Sequence, residues 1–264
     1  MLIHPDFNPI AVHIGPLAIR WYGLMYLAGF LGGTFVGKWR ARTQPWLHWK
    51  EEDVDRLVTY IVFGVILGGR LGYVLFYKPI YYWHNPAEIL AVWQGGMSFH
   101  GGFLGVLMAS ALLAKKTKRH WFNVVDFVAP LVPIGLGLGR IGNFINGELP
   151  GRPTDVPWAM IFPRVDLIPR HPSQLYEAIC EGLIMTLILL FISTKPQPLG
   201  RISAWFALLY GSFRFLLEFT RQPDEFLGLL SLGLSMGQWL SLPIIGAGIF
   251  LMFWSKRHPV PPYA

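Results

Sequence analysis

Residues 139–152, Gly139-Arg140-Ile141-Gly142-Asn143-Phe144-Ile145-Asn146-Gly147-Glu148-Leu149-Pro150-Gly151-Arg152, bring two arginines, two asparagines and a glutamate together among four glycines. They follow an apolar run long enough to cross a bilayer. A charged side chain at mid-bilayer costs about 2.5–3.5 kcal/mol on insertion scales, so such a block needs a reason to lie there. Glycines let the backbone turn irregularly and approach a ligand, while Arg140, Asn143 and Asn146 can donate hydrogen bonds to an anion. The chemistry indicated is capture of an anionic headgroup. A second set, Tyr210, Arg214 and Glu218, is spaced i, i+4, i+8, and Arg221 follows three residues later, so one helical face carries them. That face suits a second arm for the anion; a structural Arg214–Glu218 pair is the competing reading, and a glutamate that orients the arginine satisfies both.

Two further groups are candidates for moving a proton. His100, in Ser98-Phe99-His100-Gly101-Gly102, carries an imidazole, a common proton-transfer group, and has glycine beside it to leave room for substrate. Tyr22, in Arg20-Trp21-Tyr22-Gly23, opens an apolar run. The plainer readings are a hydrogen-bonding histidine at a helix end and an ordinary interfacial aromatic pair. Arg70, in Gly68-Gly69-Arg70-Leu71-Gly72, is another arginine with small neighbours, and Asn146 and His171 can serve the local fold instead of a ligand. Nothing matches a metal triad, a phosphate-cradling glycine loop or a nucleophile elbow.

The elements that position these residues follow from composition. Of 264 residues, 53% are hydrophobic and only 14% charged, against roughly 25% charged in soluble domains. That favours an integral membrane protein. The net charge of +7 is not a nucleic-acid signature here, because the basic residues cluster between apolar runs. The single Cys180 lies within such a run, so no disulfide framework or paired thiolate ligand set is expected. Residues 1–16 lack a basic region ahead of an apolar core, so no cleaved signal peptide is expected. A spanning helix needs about 20 apolar residues; stretches near that length lie at 17–36, 57–77, 97–114, 123–139, 173–192, 202–219 and 236–254. With the N-terminus outside, the inner segments 38–56, 115–119, 195–201 and the tail from Lys256 hold every lysine except Lys78, as the positive-inside rule requires. Arg20, Arg70, Arg140, Arg152, Arg164, Arg170, Arg214 and Arg221 then fall on or toward the outer side. Arginine is favoured for planar, bidentate recognition of phosphate or carboxylate; some of these arginines can instead snorkel or pair structurally. Residues 140–172, rich in proline, read as a small outer cap between the fourth and fifth spans, with Ser173 expected to cap the fifth helix after Pro172.

With these residues in place, the chain resembles the bacterial prolipoprotein diacylglyceryl transferase family over essentially its whole length. The most specific block is 139–148, supported by Arg20-Trp21-Tyr22-Gly23-Leu24-Met25-Tyr26, Gly95-Gly96-Met97-Ser98-Phe99-His100-Gly101-Gly102, Arg170-His171-Pro172-Ser173-Gln174-Leu175-Tyr176-Glu177 and the stretch from Arg214 to Asp224. The resemblance implies a single membrane-embedded domain over 1–264. It would be an all-α integral membrane protein of about seven spans in the bacterial inner membrane. Its N-terminus and active site would face the periplasm, together with the cap at 140–172, and its C-terminus the cytoplasm. It implies transfer of diacylglycerol from phosphatidylglycerol to the lipobox cysteine of a prolipoprotein, with membrane lipids and the precursor's signal peptide as partners and no nucleic acid, metal or cofactor. It makes Arg140 the principal phosphatidylglycerol contact and Arg214 its partner, and marks Tyr22, His100, Asn143, Glu148, Gly151, Tyr210, Glu218 and Arg221 as functional positions. Arg20 stands where the family usually has histidine, and some relatives have a longer insertion in the segment between Phe162 and Arg170. The alternative from another class is an anionic-phospholipid transporter or scramblase, which calls for an inverted repeat and charges along a pathway on both membrane sides; neither is found in the sequence.

Overall fold

The computed structural model describes residues 2–15, 17–223, 228 and 230–258. Asp224 of the last family block and the proline-rich tail at 259–262 lie outside them. Short strands β1 (Leu2–Ile3), β2 (Ile10–Ile14) and β3 (Leu17–Arg20) precede helices α1 (Trp21–Thr43), α2 (Glu51–Phe76), α3 (Pro79–His84), α4 (Phe99–Lys116), α5 (Trp121–Val128) and α6 (Val132–Asn146). Strands β4 (Met160–Ile161) and β5 (Pro169–Arg170) follow, then α7 (Ser173–Glu177), a π-helical stretch at Ala178–Ile184, α8 (Met185–Ile192), α9 (Arg201–Leu217) and α10 (Met236–Lys256). The fold is mostly helical. Among the described residues, Glu51–Phe76, Ser173–Ile192 and Met236–Lys256 are long and apolar enough to cross a membrane, and the bent pair α5 and α6 makes a fourth if it is one span.

Several expected boundaries move, each for a local reason. Residues 17–20 join an antiparallel hairpin with β2, pairing Ile10 with Arg20 and His13 with Ala18, so the first helix begins at Trp21. The fourth stretch is not one helix: α5 and α6 meet at 40° around Ala129-Pro130-Leu131. Proline lacks an N–H and disfavours helix in the residue before it, which accounts for the break. Helix α6 then runs on through Gly139, Arg140, Gly142 and Asn143 to Asn146, where irregular turns were expected. Gly142 and, earlier in the same helix, Gly137 serve packing, while Gly139 faces open space. A Cβ on Gly142 would sit 2.9 Å from the Tyr22 ring, and one on Gly137 2.8 Å from the Gly182 Cα. Only Gly147, at φ 68°, uses glycine's freedom, ending α6 in a left-handed cap. Ser173 is the first residue of α7 rather than its cap; its hydroxyl donates to Leu149 O at 3.2 Å.

The chain forms two compact units, Gly37–Val125 and Met1–Val36 with Asp126–Ala264. In the first, α2 opens with Glu51, Glu52 and Asp53, whose charges suit a helix N-terminus. Asp53 also pairs with Arg119 at 2.8 Å, and Arg119 lies over Trp49. Helices α2 and α4 meet along a seam of glycines: a Cβ on Gly72 would stand 2.8 Å from Gly101 Cα, and one on Gly68 the same distance from Gly105 Cα. In lipid, where burial of apolar surface gives helices little reason to associate, such close backbone approach supplies the packing contact. Arg70, 3% exposed, closes the loop after α3. It donates to the carbonyls of Glu88 (2.6 Å), Ile89 (2.8 Å), Gly95 (2.6 Å) and Gly96 (3.2 Å), with its guanidinium over Tyr82.

In the second unit, β4 bridges β1 in parallel (Leu2 with Met160) and β5 antiparallel (Met160 with Arg170). Buried His4 ties this sheet to α6: its Nε2 lies 2.6 Å from Phe144 O and its ring stacks on Phe162. Ala129, Met185, Leu189 and Ile202 form the core, flanked by Trp205, Phe206 and Tyr210. The Asp126 carboxylate accepts from Gly200 N, Ser203 N and the Ser203 hydroxyl, satisfying the open N–H groups at the start of α9.

Candidate active site

Arginines from three segments of the second unit converge on two glutamates of the span Ser173–Ile192. Arg140 comes from α6, Arg214 from the last turn of α9, and Arg221 from the segment just beyond, which bridges Gly151. Arg140 Nε stands 2.5 Å from Glu177 Oε2, Arg214 Nη1 3.4 Å from the same oxygen, and Arg221 Nη1 3.5 Å from Glu177 Oε1. One turn on, Glu181 is 4.0 Å from both Arg140 Nη2 and Arg214 Nη1. Glu218 lies 3.0 Å from Arg214 Nη2, at the i+4 spacing read from the sequence. Three guanidiniums therefore face three carboxylates. Glu177 is 2% exposed and Glu181 is fully buried, while the arginines keep part of their surface open.

The carboxylates have their own supports. Glu218 sits against the first turn of α10, where a Cβ on Gly237 would lie 2.7 Å from its carboxyl group; a helix N-terminus favours a negative charge. Glu177 and Glu181 are four residues apart, one ending α7 and the other inside the π-helical stretch. Such stretches are rare in helices and recur at functional positions.

A second polar group completes the 139–152 block. Asn143 Nδ2 donates to Glu148 Oε2 (3.3 Å) and Asn146 Nδ2 to Glu148 Oε1 (3.2 Å), so both amides expected to face an external anion hold an internal one. The turn that carries Glu148 is clamped by Gln174 Nε2, which donates to Glu148 O at 2.6 Å. Leu149 follows at φ 56°, a left-handed conformation costly for a bulky residue. Gly151 is buried; a Cβ there would be 2.6 Å from both the Cβ and the carbonyl oxygen of His171, so its part here is close backbone approach. Tyr22 packs its ring against Gly142, with its hydroxyl 3.1 Å from that of Tyr26. Tyr210 stacks on Phe206, one turn before Arg214. His100 belongs to the other unit, exposed in the first turn of α4, whose N-cap Ser98 accepts from Gly101 N.

The remaining outer arginines are mostly occupied. Arg164 pairs with Asp6 at 2.5 Å and donates to Phe7 O. Arg152 Nε donates to Arg221 O and so braces the turn that presents Arg221. Arg170 grips Asp166, and its hydrogen bonds hold that carboxyl below the usual carboxylate range. His171, 3.3 Å from the Tyr176 hydroxyl, has its pKa lowered by burial.

The sequence matches the family described as prolipoprotein diacylglyceryl transferase over residues 9–254. The chain belongs to that family. Phosphatidylglycerol–prolipoprotein diacylglyceryl transferases from Nitrosomonas europaea and Methylobacillus flagellatus are each 59% identical to it, over 99% and 98% of this chain and 95% and 100% of their own. The Cupriavidus metallidurans enzyme of the same name is 60% identical over 98% of this chain and 97% of its own.

In this diacylglyceryl transferase fold, Arg140, Arg214, Glu218 and Arg221 lie in one cluster, and Asn143, Asn146 and Glu148 in another. Glu177 and Glu181 were passed over as site residues. The signal was present: two glutamates at i and i+4 inside an otherwise apolar span obey the rule that linked Arg214 to Glu218.

Proposed function

We propose that this chain transfers the diacylglyceryl group of phosphatidylglycerol to the thiol of a prolipoprotein's lipobox cysteine, forming a thioether and releasing glycerol phosphate. Family membership across nearly the whole chain carries the reading. The arginine cluster supports it, because guanidiniums match phosphate oxygens in shape and charge. The cysteine thiolate attacks the glyceryl carbon that bears the phosphodiester; the new S–C bond replaces the C–O bond, whose electrons leave with glycerol phosphate. Charge grows on the leaving phosphate, so Arg140 and Arg214 bind the transition state more tightly than the ground state. Glu218 orients Arg214, and Arg221 adds a third cation. Asn143 and Asn146 fix Glu148 at the edge of the site, with Gly151 and Tyr210 shaping its walls. A free thiol has a pKa of about 8.5 and needs a base or a cationic field to ionise; His100 is the first candidate for the base and Tyr22 the second.

The chain is placed in the bacterial inner membrane with about seven spans, its N-terminus, the 140–172 cap and the active site toward the periplasm, and its C-terminus in the cytoplasm. The distribution of lysine supports this orientation. Mass spectrometry tests the function directly. Purified protein is incubated with phosphatidylglycerol vesicles and a lipobox peptide, and the expected product is a peptide heavier by one diacylglyceryl group on cysteine, formed with one glycerol phosphate. Lipid movement between leaflets without that adduct overturns the proposal in favour of a transporter.

A further inference from the structure

The proposed chemistry uses the arginines and leaves Glu177 and Glu181 without a part, although they are among the most buried ionisable groups in the molecule. Among the described residues, Glu177 is the one carboxylate within 3.5 Å of all three guanidiniums. These contacts are close without being directed: Glu177 Oε2, both Glu181 oxygens and Arg214 Nη1 are buried and have no hydrogen-bond partner among the described residues. The glutamates thus hold the arginines by charge and leave donors such as Arg214 Nη1 without a hydrogen-bond partner among the described residues. Those donors are what a phosphodiester needs. Three carboxyl groups also face the three guanidiniums, so a bound phosphate meets arginines gathered by acidic neighbours.

We propose that Glu177 is a positioning residue for diacylglyceryl transfer: a buried counter-charge that holds Arg140, Arg214 and Arg221 in one cluster with their N–H groups available to phosphate oxygens. Glu181, at 4.0 Å from Arg140 and Arg214, acts in the same sense more weakly. The idea rests on the transferase reading and makes a distinctive kinetic demand. Replacing Glu177 by glutamine removes a negative charge from beneath the phosphate site, so phosphatidylglycerol binds more tightly and KM falls. The extra positive charge alone would also favour the leaving phosphate and raise kcat. Loss of alignment does the opposite, and a displacement of about 1 Å at a reacting group can cost about 100-fold.

The test measures glycerol phosphate release by the purified enzyme with phosphatidylglycerol and a lipobox peptide, for wild type, Glu177→Gln, Glu177→Asp and Glu181→Gln, together with thermal unfolding of each. Glu177→Gln is expected to lower kcat by about 10- to 100-fold with a lower KM for phosphatidylglycerol. Glu177→Asp, which keeps the charge but has a shorter reach, is expected to keep the wild-type KM with an intermediate kcat. Unchanged constants in Glu177→Gln overturn the proposal. So does a fall in kcat with KM unmoved and the aspartate no better, which is what mere loss of folded enzyme gives. If Glu177→Gln does not fold, Glu181→Gln decides: a lower KM with a smaller drop in kcat supports the proposal, and wild-type constants overturn it. Absence of transfer by the wild-type enzyme would instead remove the transferase reading beneath it.

Discussion

Arg70 and Arg140 are both arginines with glycine neighbours in apolar helices, and their sequences give little reason to treat them differently. Arg70 directs Nε and both terminal nitrogens onto four backbone carbonyls and covers the rest of its guanidinium with Tyr82. Its donors are committed, and what they hold is the loop from Glu88 to Gly96. Arg140 faces carboxylates at 2.5 and 4.0 Å and keeps part of its surface open. The contrast separates two uses of the same side chain. An arginine whose fork is filled by neutral carbonyls shapes a loop; one held by buried charge is, under the proposed function, the one that receives an anion.

The sharpest way to break this contrast is to remove the arginines in turn. Arg140→Ala and Arg214→Ala are each expected to lower kcat by about 100- to 1000-fold, the usual cost of one preorganised donor at a developing charge. Near-normal glycerol phosphate release from both variants would dissolve the distinction. Arg70→Ala should behave in the other way. Carbonyls left without a donor make it less stable by about 2–4 kcal/mol in denaturant titrations, while the activity of each folded molecule stays close to wild type. Should Arg70→Ala instead lose turnover with its stability intact, the filled-fork argument fails.

A finer probe moves a carboxylate without deleting it. Gly237→Ala puts a methyl against the carboxyl group of Glu218, and through Glu218 it disturbs Arg214. A loss of about 10-fold in kcat is expected from a sub-ångström shift at the site, and wild-type kinetics would show that Glu218 does not set the position of Arg214. The smallest effect is expected from Asp166 and Arg170, a pair near the surface. Because Arg170 lowers the folded-state pKa of Asp166, its contribution is complete above the unfolded aspartate value, about 3.9. It disappears as pH falls through the lower folded value. Solvent screening keeps it within about 1 kcal/mol, so Asp166→Asn should barely change thermal unfolding at neutral pH and should flatten its decline in acid.

The apolar stretches, the i, i+4 face of α9 and the arginines of the site can be read from residue order because each depends on local period or on residue type. Other features depend on partners distant in sequence. The strand pairing of Leu2 with Met160 gives no local signal, since two residues carry no period. Glycines near Arg140 suggest irregular backbone because conformational freedom is their best-known property; in α6, Gly142 admits Tyr22 and Gly137 admits Gly182, which only the packed helices reveal. Pro130 should have announced the bend between α5 and α6, but the surrounding apolar run masked it. Glu177 and Glu181 were read as part of a matching block and a span, and their relation to Arg140, Arg214 and Arg221 appears only when three segments meet.

The glycine seam between α2 and α4 has a consequence for anyone who sets out to make this enzyme hardier. Replacing a helical glycine by alanine ordinarily adds about 1 kcal/mol of stability, and a chain with 29 glycines looks like generous material for it. At Gly64, Gly68, Gly72, Gly101 and Gly105 that route is closed, because the new methyl would meet the backbone of the opposite helix and backbone cannot rotate out of the way as a side chain can. Directed evolution toward heat tolerance should therefore leave these positions untouched and accumulate its gains at glycines such as Gly139 and Gly246, where a methyl group finds open space.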